Sequence, residues 1–141
     1  MRTTERIGLV YRELRIAARR SAARRTRRPF LHLRALKAIQ YEGLHTQAEL
    51  ADRLQIDPPA ASRLVSKLVA DKLIARRAGP NRRCVCLVLL RAGISELAIT
   101  DAVLDELDAT VLSHLTAVEA RTLDRLLAKV TDGLVADEQA A

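Results

Sequence analysis

Apolar residues recur along most of this chain at intervals of three and four, the spacing of one face of an α-helix. Ile7, Val10, Tyr11 and Leu14 begin the pattern and Ala17, Ala18 and Ser21 continue it, which predicts one amphipathic helix over residues 4–24. Pro29 opens a second helix, with Leu33, Leu36 and Ile39 spaced by three, and Gly43 ends it by taking the left-handed conformation. Thr46 and Glu49 make a capping box, in which each side chain satisfies a backbone donor at a helix start. Leu50 and Leu54 follow one turn apart, and Gln55 and Ile56 turn the chain. Asp57 is then an N-cap, and Pro58 fits the first helical position, where no N–H is needed. Ala61, Leu64, Val65 and Leu68 form one buried face. The opposite face carries Pro59, Ser62, Arg63 and Ser66, with Lys67 on its flank. Two short helices joined by a tight turn, the second presenting small polar and basic side chains, form a helix-turn-helix that fits a DNA major groove.

Beyond it the period changes from 3.6 to 2. Ile74-Ala75-Arg76-Arg77 reads as a short strand, Ala78-Gly79-Pro80-Asn81 as a turn, and Arg82 to Leu90 as a second strand. Alternation puts Val85, Leu87 and Leu89 on the core face and Cys84, Cys86 and Val88 outward. A basic-tipped hairpin straight after a recognition helix is a wing. After Gly93 a long helix runs to about Leu115, with Ile94, Leu97, Leu104, Val111, Leu112 and Leu115 apolar. A second capping box, Thr116 and Glu119, starts a last helix with Leu123, Leu126, Leu127, Val130 and Leu134, and the chain frays from Asp137 onward. The fold class is mainly α with a small β-hairpin wing. A winged helix-turn-helix lobe at 30–92 is flanked by terminal helices at 1–28 and 94–136. Those long helices cannot pack onto so small a lobe over their whole length, so their apolar stripes predict a two-fold homodimer.

Composition narrows the partners. Of 141 residues, 49% are hydrophobic, enough for one core, and 2% are aromatic. With only Tyr11, Phe30 and Tyr41, the chain lacks the platforms on which single-stranded bases or an aromatic cofactor would stack, and no cofactor is expected. The net charge of +7 is uneven: residues 1–40 hold twelve Lys and Arg against two acids, and residues 95–141 hold ten acids against three bases. A basic front and an acidic rear predict one face for a polyanion. The arginine run from Arg19 to Arg28 fits either a solvated helix end or a phosphate-contacting patch. No stretch approaches the roughly 20 apolar residues of a membrane span, and the N-terminus has no apolar signal segment. The expected location is the cytoplasm, on the nucleoid, with no membrane partner.

Reactive chemistry is sparse. There is no Gly-rich phosphate loop and no Gly-x-Ser-x-Gly elbow, so an enzyme is not expected. His32, His45 and His114 are scattered, and no metal site is expected from their spacing. Cys84-Val85-Cys86 is the unusual feature. It is either a pair of small apolar strand residues or a redox switch whose thiolate Arg82 and Arg83 stabilise. Strand residues two apart are about 6.5–7 Å between Cα atoms, at the edge of disulfide geometry. Sulfenic acid or an intersubunit bond is therefore expected over a local bridge.

The stretches TQAELADRL, ASRLVSKLVADKLIARR, NRRCVCLVLLRAG and LTAVEARTLDRLLAKV resemble the two DNA-binding helices, wing and final dimerisation helix of the MarR family of bacterial transcription regulators. The resemblance covers roughly residues 5–136 and is most specific over 46–93. It implies a homodimer on pseudo-palindromic operators in double-stranded DNA, usually a repressor, relieved by a small aromatic or drug-like ligand or by cysteine oxidation. The implied DNA contacts are Thr46, Gln47, Pro59, Ser62, Arg63, Ser66 and Lys67 from the helix-turn-helix, with Arg76, Arg77, Arg82 and Arg83 from the wing. The implied effector pocket, between the first, second and long helices, offers Tyr11, Arg15 and His32. Three departures stand out. Asn81-Arg82-Arg83 replaces an Asp-x-Arg wing tip, Pro58-Pro59-Ala60-Ala61 brings no hydroxyl to the recognition helix, and Leu90 replaces a capping Thr. Two rival readings are a sequence-independent nucleoid-associated protein and a protein–protein interaction module using the winged helix.

Overall fold

The computed structural model describes residues 1–81 and 83–141. Among these, the elements run α1 (Thr3–Arg25), α2 (Phe30–Tyr41), α3 (Gln47–Leu54), α4 (Pro58–Ala70), β1 (Ile74–Ala78), β2 (Val85–Leu89), α5 (Arg91–Leu112) and α6 (Ala117–Ala140). β1 and β2 form a two-stranded antiparallel sheet. The architecture is the expected one, mainly helical with a hairpin wing after a helix-turn-helix. The chain divides into two compact units, Met1–Asp105 and Glu106–Ala141.

Local chemistry sets the elements of the first unit. The Thr46 hydroxyl accepts the Glu49 N–H at 3.1 Å and starts α3. The Asp57 carboxylate accepts the Ala60 N–H at 2.7 Å and starts α4, with Pro58 in its first turn. Between them Gln55 takes a left-handed φ of 54°. Gly43 follows α2 at φ 67°, the conformation expected of it. The core gathers Leu36 and Ile39 of α2, Leu50 and Leu54 of α3, Leu64, Val65 and Leu68 of α4, Ile74 and Leu87 of the hairpin, and Leu97 of α5. Full burial of each such side chain contributes about 1.5–3 kcal/mol.

Four boundaries differ from expectation. β2 is confined to Val85–Leu89, because the Cys84 N–H is used in a turn, donating to the Asn81 C=O at 3.1 Å. α5 begins at Arg91, before Gly93, and ends at Leu112. The Leu90 N–H is held by the Leu73 C=O at 2.9 Å, and a Cβ on buried Gly93 would strike that same carbonyl. A backbone anchor and a close approach thus seat the start of α5 where a capping Thr was looked for. α6 continues through Asp137 to Ala140.

In the second unit, α6 is started by a reciprocal cap: the Glu119 N–H donates to the Thr116 hydroxyl at 3.2 Å and the Thr116 N–H to the Glu119 carboxylate at 2.8 Å. No residue of α6 is buried. Among the described residues, no helix is long and apolar enough to cross a membrane.

Candidate nucleic-acid interface

The outward face of α4 is small, polar and basic because its opposite face is spent on the core. Pro59, Ser62, Arg63 and Ser66 are exposed, and the Arg63 guanidinium has no ion-pair partner among the described residues. Lys67 is exposed too, but its ammonium lies 3.1 Å from the Asp71 carboxylate, so part of its charge is matched within the helix. Thr46 is half-buried with its hydroxyl committed to the α3 cap, which leaves little for another partner. Gln47, at the start of α3, is half-buried.

The wing register sets Arg76 opposite Leu87 and Arg77 opposite Cys86. Directly opposed residues share a face, so the two exposed arginines point to opposite sides of the hairpin. Asn81 stands where the resemblance puts the Asp of an Asp-x-Arg tip, a position from which a side chain could hold an arginine head group. Its carboxamide oxygen instead accepts the Arg83 backbone N–H at 3.1 Å, which shapes the turn and leaves the exposed Arg83 guanidinium outside that bond. Arg82, the other expected tip contact, lies outside the described residues.

The arginine run is not uniform. Arg28 reaches the Asp71 carboxylate at 2.8 Å and Glu96 at 3.7 Å, tying the chain before α2 to the end of α4 and the start of α5. Arg25 donates to the Ser21 hydroxyl at 2.7 Å. Arg19, Arg20 and Arg27 remain exposed. The hydrogen bonds from Arg28 and Lys67 hold the Asp71 carboxyl below its ordinary range.

His32 belongs to this junction. Burial, then the charge of Arg28, pushes its pKa down, Asp71 opposes the shift, and its Nδ1 is buried without a hydrogen-bond partner among the described residues. Tyr11 and Arg15 are exposed on α1, the guanidinium carbon 5.6 Å from the ring centroid. The three expected effector residues therefore divide between two environments.

Sequence reasoning missed a cleft of about 190 Å³ between α2, α3 and α5. Phe30, Leu54 and Leu104 supply its apolar wall, and Arg34 and Lys37 bring cations with no ion-pair partner among the described residues. The Thr100 hydroxyl at its wall is buried without a hydrogen-bond partner among the described residues. One signal was available: Thr100 falls three residues after Leu97 and three before Val103, a polar residue within the apolar stripe of α5.

Both cysteines are half-buried, where outward thiols were expected, and Val85, expected on the core face, is 50% exposed. The core reaches Leu87 and Leu89 but stops short of Val85 at the tip. The other edge of β2 is covered by the loop before α3, since the Leu87 N–H donates to the His45 C=O at 2.6 Å. Burial, then the neighbouring Cys84 thiol and the Glu49 carboxylate, pushes the Cys86 thiol up. Of the two readings of the pair, the arginine-stabilised thiolate is disfavoured at Cys86. Among the described residues no three His, Cys, Asp or Glu side chains gather as a metal site would need.

This fold, with its exposed α4 face and basic hairpin, defines a winged helix-turn-helix protein. The MarR family model matches residues 27–83, and the fold over nine-tenths of the chain is that of MarR-family transcription regulators. It is similar to E. coli MarR in its apo form, with 24% identity and a TM-score of 0.81 over 92% of this chain and 97% of that one. It is similar to a Mycobacterium tuberculosis MarR-family protein in complex with p-aminosalicylic acid, at 26% identity and TM-score 0.78 over 93% and 99%. A third match is S. aureus MepR in a DNA complex, at 22% identity and TM-score 0.73 over 94% and 98%. No curated protein sequence matches the chain.

Proposed function

We propose that this protein is a homodimeric, sequence-specific DNA-binding repressor rather than an enzyme, acting on the nucleoid. The observation that carries the reading is the α4 face. A helix whose inner side is sealed into the core presents Ser62, Arg63 and Ser66 outward, with no ion pair on Arg63 among the described residues. Arg63 is the side chain suited to a bidentate guanine contact, and Arg83 to the minor groove beside it. The helices at 1–28 and 94–136 bring two copies together, so that two α4 helices enter successive major grooves about 34–36 Å apart on a pseudo-palindromic site. The MepR match, solved on DNA, supports the reading by analogy of fold.

A small acidic ligand is favoured over oxidation of Cys86 as the signal, because burial pushes that thiol's pKa up and the reactive species in oxidation is the thiolate. The cleft with Arg34, Lys37 and Thr100 suits a carboxylate with a small apolar body, and the p-aminosalicylic acid complex of the mycobacterial relative is consistent with that class.

Selection of bound DNA from random oligonucleotides tests the function. A repeated, two-fold-related motif bound far more tightly than random duplex is expected. Equal affinity for all duplexes would replace the reading with a nucleoid-coating protein, and no binding even at low salt would replace it with a protein-interaction module.

A further inference from the structure

Arg77 pairs with Cys86 in the hairpin register, and just past the ends of both strands the Gly79 N–H donates to the Cys84 C=O at 2.7 Å, so Gly79 stands against the segment that carries both cysteines. Gly79 does not have a left-handed φ, so backbone conformation does not explain its lack of a side chain. Space does: a Cβ there would lie 2.8 Å from the Cys84 carbonyl oxygen, 2.9 Å from the Cys84 Cβ and 3.2 Å from the Cys86 Sγ. Both cysteine side chains therefore abut the space that Gly79 leaves open. No third Cys, His, Asp or Glu among the described residues completes a metal cluster there, which argues against a four-ligand zinc site.

We propose that Cys84 and Cys86 form a dithiol site for a neutral trivalent arsenical, arsenous acid or its organic derivatives. Three features select that class. Two ligands suffice for it. The exchange is neutral overall, so it asks for no counter-charge at a site with Arg77 on its own side and the Glu49 carboxylate acting on Cys86. Both thiols are also free of any disulfide. In the step, two S–H and two As–O bonds break, two As–S bonds form, and two waters leave with the thiol protons and arsenic hydroxyls. Arsenic stays trivalent, so neither an oxidant nor a reductant is consumed.

The site is coupled to the wing tip. Cys84 closes the tip turn through its N–H to the Asn81 C=O and its C=O to the Gly79 N–H, and Arg83 is the adjacent residue. Tying the Cys84 side chain to Cys86 redirects that turn. Resting on the wing–DNA reading above, this predicts that an arsenical releases DNA.

The experiment separates the two claims. Reduced full-length protein is mixed with one equivalent of phenylarsine oxide per chain, the remaining thiols are titrated, and the intact mass is recorded. One arsenical per chain, both thiols lost, and reversal by a small dithiol but not by a monothiol are expected. Cys84→Ser and Cys86→Ser should each weaken binding by on the order of 100-fold, because the second bond is no longer intramolecular. Gly79→Ala should weaken it with both thiols present. One thiol consumed, an arsenical linking two chains, or tight binding by either serine variant would overturn the site. DNA release is scored separately by adding the same probe to the bound complex. Dithiol binding without release would overturn only the coupling to DNA.

Discussion

α4 and α6 are both amphipathic, and they dispose of their apolar stripes in opposite ways. α4 buries Ala61, Leu64, Val65 and Leu68 at 5% exposure or less. α6 buries nothing, and Leu126, Leu127, Val130 and Leu134 stay 45–64% exposed. In α4 the apolar face serves the fold and the polar face is left for a partner. In α6 the apolar face is itself the surface that needs one. Exposed apolar patches of this kind mark interaction surfaces, and in the homodimer proposed above a second copy of the same helix would supply a matching stripe under two-fold symmetry.

The sharpest way to break the comparison is to cut the same group from each helix. Leu68→Ala in α4 should lower folding stability by about 2–5 kcal/mol, the range for emptying a closed leucine site. Leu127→Ala in α6 should leave the unfolding of the first unit nearly unchanged. Denaturant titrations of both variants decide it, and a comparable loss at both positions would mean that α6 is part of the core after all.

Reversing the polarity of the α6 stripe should act on assembly. Leu127→Arg is expected to give a folded monomer in sedimentation velocity, and to reduce operator affinity by on the order of 100-fold because one half-site contact must hold alone. A variant that stays dimeric with full affinity would remove α6 from the interface.

On the polar side of α4, Arg63→Ala should cost about 1–3 kcal/mol of operator affinity and much less on random duplex. Arg83→Ala should cost about 1 kcal/mol and relax preference at the flanking bases. Competition binding with operator and random DNA separates the roles. Equal losses on both sequences would demote Arg63 to a phosphate contact.

Local rules made most of the fold legible. The Thr46–Glu49 and Thr116–Glu119 caps, the Asp57-Pro58 start and the 3.6-residue stripes all depend on neighbours in sequence, and each formed where expected. What escaped depended on residues far apart. Arg28 was one of several equivalent arginines until Asp71 and Glu96 came beside it. The cleft of Arg34, Lys37 and Thr100 needs three helices to exist. Strand alternation gave the phase of Cys86 opposite Arg77 but not the half-burial of either cysteine.

The smallest expected effect tests how α4 is seated at its C-terminal end. His32 lies within electrostatic reach of Asp71 and Lys67 of that end, and burial together with Arg28 holds its pKa below the ordinary 6.5. The folded state therefore binds its proton more weakly than the unfolded chain does. The resulting stability is fully present above pH 6.5 and is lost as pH falls through the lower folded value. His32→Gln removes the titration, so its thermal unfolding curve should fall less steeply with acidification than that of the wild type. Asp71 does not confound this window, because its carboxyl stays ionised until far lower pH. Parallel pH dependence in the two proteins would mean that the His32 proton does not report on the seating of α4, and that Arg28 and Asp71 hold that end alone.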